Sequence, residues 1–210
     1  MPRWGMVIDL RRCIGCKSCA VGCKAAHKNA WRRVHDCGIT DYPERQRMLL
    51  HLSCMHCSEP PCLEVCPTAA TYQRPDGIVA IDYNRCVGCG YCIVACPYQA
   101  RAIYTEEHDF EVNELSRNLG VKYSGTVQGG VCTKCNFCMD RIDAGLSRGL
   151  VPGMDPAASP VCMISCSAKA ICFGDLNEPD SIVSRLIREN KTSRLQEELA
   201  TLPSIYYIFE

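Results

Sequence analysis

Neither sign of charge prevails in this chain. Lys+Arg and Asp+Glu both number 23 among 210 residues, so the net charge is zero. That removes the electrostatic case for nucleic acid or an anionic membrane surface as a partner. No stretch approaches the roughly 18 consecutive apolar residues of a membrane-spanning helix, so any membrane attachment is expected to come through another subunit. No export leader is read at the start. Arg11-Arg12 has the look of a twin-arginine signal, but a cysteine loop and no apolar segment follows; two basic residues beside a loop is the simpler reading. A nucleotide-binding glycine loop and a convincing acid/base pair are also missing, which argues against a catalytic site in this chain. Even apolar residues are thin. The 47% apolar content falls to about 38% once the 19 cysteines are set aside, little for a core of this size.

What the chain has is cysteine. A disulfide framework is disfavoured, because the number is odd, no leader is read, and the cysteines fall in C-x2-C sets. Zinc knuckles are the stronger rival, but zinc wants two pairs with a longer spacer. Cys86, Cys89, Cys92 and Cys96-Pro97 instead follow C-x2-C-x2-C-x3-C-P, the ligand run of bacterial iron–sulfur ferredoxins. Three thiolates at this spacing can wrap one cubane cluster, and Gly88 and Gly90 let backbone N–H groups approach the sulfurs. The fourth cysteine, on the start of a helix, points away; in two-cluster ferredoxins it serves the other cluster. Partner runs are therefore required, and three are present.

The first is Cys13, Cys16, Cys19 and Cys23, followed by Lys24 rather than proline. Its leader Ile8-Asp9-Leu10-Arg11-Arg12-Cys13 matches Ile81-Asp82-Tyr83-Asn84-Arg85-Cys86 at a constant offset of 73, an internal repeat. The second is Cys54, Cys57, Cys62 and Cys66-Pro67, stiffened by Pro60-Pro61. The last is irregular: Cys132, Cys135 and Cys138, then Cys162 and Cys166, five cysteines for four positions. Short strands are expected at 6–9, 47–52, 71–73, 78–82, 102–104 and 170–173. Helices are expected at 25–33, 139–146 and from an Asp180 or Ser181 cap onward, and turns at 41–43 and 75–77. Residues 202–209 read as an edge strand or an arm laid on a partner. Cys37 and Cys172 read as small core residues. His27, His35 and Trp31 read as packing or surface residues, His56 as a residue beside ligands or on the surface, and Glu106–Asp109 as a solvated acidic loop.

With Lys134-Cys135-Asn136-Phe137-Cys138 followed by Asp140-Arg141 and Gly145, and with Phe173-Gly174-Asp175 and Tyr206-Tyr207 near the end, the chain resembles a family. This is the four-cluster ferredoxin-like electron-transfer subunits of molybdopterin oxidoreductases of the dimethyl-sulfoxide-reductase type. Its relatives serve polysulfide, thiosulfate, tetrathionate and nitrate reductases and formate dehydrogenases. The resemblance covers nearly the whole chain, although 105–131 and 147–160 look longer than usual. It implies an α+β fold of two pseudosymmetric bacterial-ferredoxin-like modules nested in sequence. One comprises residues 1–50 plus 130–176 and holds runs one and four; the other, 51–104, holds runs two and three. Residues 105–129 are an insertion, and 177–210 a helical tail with a C-terminal interface arm. It also implies four [4Fe–4S] clusters with exchanged fourth ligands. The sets are Cys13, Cys16, Cys19 with Cys166; Cys135, Cys138, Cys162 with Cys23; Cys54, Cys57, Cys62 with Cys96; and Cys86, Cys89, Cys92 with Cys66. Cys132 is then spare.

The resemblance implies a relay of single electrons between a molybdenum- or tungsten-pterin catalytic subunit and a membrane-anchored quinone-reactive subunit or a soluble acceptor. The expected location is peripheral, held to the membrane by partners, on the cytoplasmic side for want of an export signal. A free-standing polyferredoxin carrier and a zinc-stapled scaffold are the rivals.

Overall fold

The computed structural model describes residues 1–39, 47–104 and 129–209. The expectations for 41–43 and for Glu106–Asp109 lie outside them.

The apolar leader Trp4–Asp9 forms strand β1, buried at all six positions. Alternation along the strand separates its two faces. Met6 and Ile8 join a core with Ile171, Phe173, Ile205 and Tyr207. Val7 packs on the other face with Val183 and Ile208. Strand β8 (Ile171–Asp175) runs antiparallel to β1, from Trp4 opposite Asp175 to Ile8 opposite Ile171. Strand β10 (Ile205–Ile208) runs parallel to β1, from Met6 opposite Ile205 to Asp9 opposite Ile208. The sheet order is β8-β1-β10-β9, with β9 at Thr192–Ser193. The C-terminal segment is thus an interior strand and not the expected edge or arm. Its residues Ile205, Tyr207 and Ile208 are fully buried, and Tyr207 Oη donates to the His51 carbonyl at 2.6 Å.

Helix Ile182–Glu189 covers the Val7 face. Ser181 caps it, accepting from the Ser184 N–H at 3.1 Å. Val183 is fully buried there, worth about 1.5–3 kcal/mol relative to exposure.

Helix α1 spans Ser18–His27, not 25–33, and Lys28 ends it in the left-handed region. The chain is helical earlier than expected because Cys19 and Cys23 stand four residues apart and turn to one buried side. Single helical turns likewise separate the last two cysteines of the other runs: Pro61–Glu64, Tyr91–Val94 and Val161–Ile164. Strand β2 (Arg33–Ile39), which the sequence did not announce, pairs antiparallel with β3 (Arg47–Leu52). Cys37 lies on its outer half and is exposed, so it is not the small core residue expected. Strands β4 (Thr71–Gln73) and β5 (Val79–Ile81) form the expected hairpin, turning at Gly77 with φ +84°. Strand β6 (Ala102–Ile103) pairs with β7 (Cys132–Thr133). The helix Met139–Leu146 has the expected bounds. Gly145 lets it close on the 3-10 turn Pro156–Ala158, where a Cβ would meet the Ala158 Cβ at 2.3 Å.

Candidate metal centres

Each cysteine run folds as a loop closed by a helical turn, and the loops need glycine where they reverse. Gly15 and Gly88 hold φ +69° and +68° at matching positions of the repeat. At Gly88 a Cβ would lie 2.0 Å from the Gly130 carbonyl oxygen.

The loops bring thiols together across the sequence. Cys13, Cys16, Cys19 and Cys166 line one pocket, with His51 and Lys17. Cys66, Cys86, Cys89 and Cys92 line a second, and Cys132 joins them there. Around Cys135, burial pushes the thiol up to about 12, with Cys23 and Cys162 adding to it. Cys138 is raised likewise by burial, Cys162 and Cys135. Burial pushes Cys57 up to about 12, helped by Cys54, Cys62 and Cys96. The sets adjoin in a row. Cys19, pushed by burial to about 11, also feels Cys162; Cys135 feels Cys54; and Arg101 stands among Cys62, Cys54 and Cys92.

All 19 cysteines are free thiols. Dry thiols resist ionising, yet the thiolate is the metal ligand, so a bound cationic core must drive the protons off. A single zinc ion needs its donors within about 2.0–2.3 Å of one point. Among the described residues no three His, Cys, Asp or Glu side chains gather that way; the thiols stand around wider voids. Backbone donors aim at the rims, as cluster sulfurs require. The Thr71 N–H lies 3.4 Å from Cys66 Sγ, Ala170 N–H 3.3 Å from Cys166 Sγ, Val161 N–H 3.5 Å from Cys138 Sγ and Cys132 N–H 3.4 Å from Cys86 Sγ. These voids fit a multinuclear cluster.

Two histidines touch sulfurs of the cysteine runs. His51 Nε2 is 3.1 Å from Cys13 Sγ and His27 Nε2 is 3.1 Å from Cys138 Sγ. Burial holds both near 4, so both are neutral and can donate an N–H to a thiolate. His27, read from sequence as packing or surface, thus reaches a thiol 111 positions away while stacking on half-buried Trp31 at 4.5 Å. His35 is exposed. His56 is fully buried, stacks on Phe137 at 3.7 Å and accepts from the Val79 N–H.

Three cations are buried beside the thiols: Arg32, Arg101 and Lys134 are 2%, 5% and 1% exposed. Among the described residues none pairs with a carboxylate; Lys134 Nζ donates to the Val79 and Cys135 carbonyls, and the two arginine charges are left to the thiolates. Burial works against the Arg32 charge, but Cys162, Cys135 and other anionic groups more than offset it. Sequence reasoning missed all three, because nothing local marks a basic residue as buried.

Residues 46–117, which include runs two and three, match a family described as "4Fe-4S dicluster domain". A Halobacterium salinarum protein, provisionally named as the iron–sulfur subunit of a dimethyl sulfoxide reductase, is 39% identical over 99% of this chain and 79% of its own length. The B subunit of the selenate reductase of Mesobacillus selenatarsenatis is 36% identical over 98% and 72%. The B subunit of the polysulfide reductase of Wolinella succinogenes is 31% identical over 98% and 94%.

Proposed function

Because the chain belongs to the family of iron–sulfur B subunits of dimethyl-sulfoxide-, selenate- and polysulfide-reductase type, we propose that it is the electron relay of such a complex. It is an iron–sulfur electron-transfer subunit that acts beside a catalytic partner. Four [4Fe–4S] clusters, when bound, accept and release one electron each. The ligands are the exchanged sets: Cys13, Cys16, Cys19 and Cys166; Cys23, Cys135, Cys138 and Cys162; Cys54, Cys57, Cys62 and Cys96; Cys66, Cys86, Cys89 and Cys92. The observation that carries this reading is the meeting of Cys166 with Cys13 and of Cys66 with Cys86 around single voids. The two modules are nested, runs one and four within one and runs two and three within the other.

The chain's own residues bind the clusters, donate N–H groups to their sulfurs and keep water from most of them. Cys16 and Cys89, at the two outer sets, are exposed and give the row two openings for partners. One partner is a molybdenum or tungsten pterin catalytic subunit, the other a membrane-anchored quinone-reactive subunit. No described helix is long and apolar enough to cross a membrane.

The native complex, purified without oxygen, should contain about sixteen iron and sixteen labile sulfide per copy of this chain, together with molybdenum or tungsten. Stoichiometric zinc with negligible sulfide would overturn the reading. A chain that purifies alone, loaded and without a pterin partner, would favour a free-standing carrier.

A further inference from the structure

We propose that Arg32 and Arg101 are the internal counter-ions of the relay, each buried between the two thiol sets of one module and each raising the reduction potentials of the two clusters it separates. The inference rests on the cluster reading above and goes beyond it, since neither residue belongs to a cysteine run.

Arg101 is the more fully tied. Its Nη2 lies 2.9 Å from Cys62 Sγ and its Nη1 donates to Thr71 Oγ1 at 3.1 Å. It also interacts with Cys92 and Cys132. One guanidinium thus faces a ligand of the second run and a ligand of the third. Arg32, 2% exposed, is likewise near enough to interact with thiols of both sets of the other module, Cys162 and Cys135 of one and Cys19 of the other. Its Nη2 meets Met6 Sδ at 3.0 Å. Its Nε and Nη1 are buried without a partner. Leaving two such donors unmet is costly in a dry interior. An anionic group held by the surrounding thiolates is what would satisfy them.

The two arginines do not descend from the internal repeat. Under its offset of 73, Arg101 corresponds to Lys28 and Arg32 to Thr105. Different chain positions deliver the same group to the same kind of place, which points to an electrostatic requirement. Each reduction adds one negative charge, and a fixed cation in a low-dielectric wall favours the reduced form without screening by salt. Arginine suits the task better than lysine, because its planar fork keeps its charge and reaches partners on two sides.

The test is an EPR-monitored redox titration of the whole complex carrying Arg32→Gln, Arg101→Gln, Arg32→Lys or Arg101→Lys, with iron and sulfide assayed in parallel. Each glutamine variant should keep its full iron content. It should weaken reduction of the two clusters in its own module at least tenfold, about 59 mV for a one-electron couple, and leave the other two unmoved. Lysine should restore at least half of the shift. Full iron with all four potentials unchanged, or a shift in the wrong module, would overturn the proposal. If a glutamine variant loses iron, wild-type complex labelled with guanidino-15N arginine decides. Pulsed EPR of the reduced protein should then detect 15N coupling at clusters of both modules, and its absence would overturn the proposal. A wild-type complex without clusters would instead defeat the reading on which the inference rests.

Discussion

Replacing Cys132 by alanine should leave all four clusters in place and lower the potential of one. The last run offers five cysteines for four positions, and the geometry separates them. Cys132 sits on β7, with its sulfur 3.4 Å from Cys92 Sγ and its N–H 3.4 Å from Cys86 Sγ. It therefore flanks the third run's thiols, whereas Cys135 lies with Cys23 and Cys162. Once Cys92 serves as a ligand it carries no proton, so the S–H of this contact is that of Cys132, which then donates to the Cys92 sulfur. Alanine removes the S–H and keeps the N–H. A thiol is a weak donor, so the lost bond is worth roughly 0.5–1.5 kcal/mol, or about 20–60 mV for one electron. An EPR redox titration with parallel iron analysis reads both quantities. Cys135→Ala should cost a whole cluster. Loss of about four iron in Cys132→Ala, with full iron in Cys135→Ala, would refute the assignment and shift the last run by three residues.

Cys166→Ala should abolish the cluster of Cys13, Cys16 and Cys19 and spare that of Cys135, Cys138 and Cys162. The opposite result in iron content and EPR would end the exchanged-ligand scheme. Gly145→Ala forces a Cβ to within 2.3 Å of the Ala158 Cβ; it should cost on the order of 1–3 kcal/mol by overpacking, seen as a lower midpoint in thermal unfolding. A double-mutant cycle on Arg74 and Asp143, which pair at 2.7 Å and join the β4–β5 turn to helix Met139–Leu146, should give no more than about 1 kcal/mol, because Asp143 is half exposed. Chelating the iron at neutral pH should collapse the far-ultraviolet dichroism, since thiols fill so much of the interior.

The cluster-binding character of the cysteine runs was legible because a cluster imposes local spacing on the chain, and so were the features that local chemistry decides. Helix Met139–Leu146, the Ser181 cap and the turn at Gly77 are of that kind. Helix α1 was placed too late, since the spacing of Cys19 and Cys23 is itself helical, a signal hidden while they were read only as ligands. The role of β10 was not legible, because its partner β1 lies far away in the chain and a short apolar run looks the same at an edge or in the middle of a sheet. The same distance hid His27, His51, Arg32 and Arg101. Each has a partner at least 38 positions away, Cys13 for His51, Cys138 for His27, Cys62 for Arg101 and Cys135 for Arg32, beyond the reach of any periodicity.

The parallel pairing of β10 with β1 also sets a timetable. During synthesis Trp4–Asp9 emerges early, but the strand beside it, Ile205–Ile208, is made long afterwards. Until then β1 can pair with β8 alone and presents an open apolar edge, the kind that recruits foreign strands. The first thiol set waits almost as long, since Cys166 must appear before Cys13, Cys16 and Cys19 have their fourth neighbour. A ribosome that stops early therefore leaves a chain whose outermost metal site cannot close and whose sheet stays unlatched. The sheet therefore gains its parallel neighbour to β1 only in copies read through Ile208.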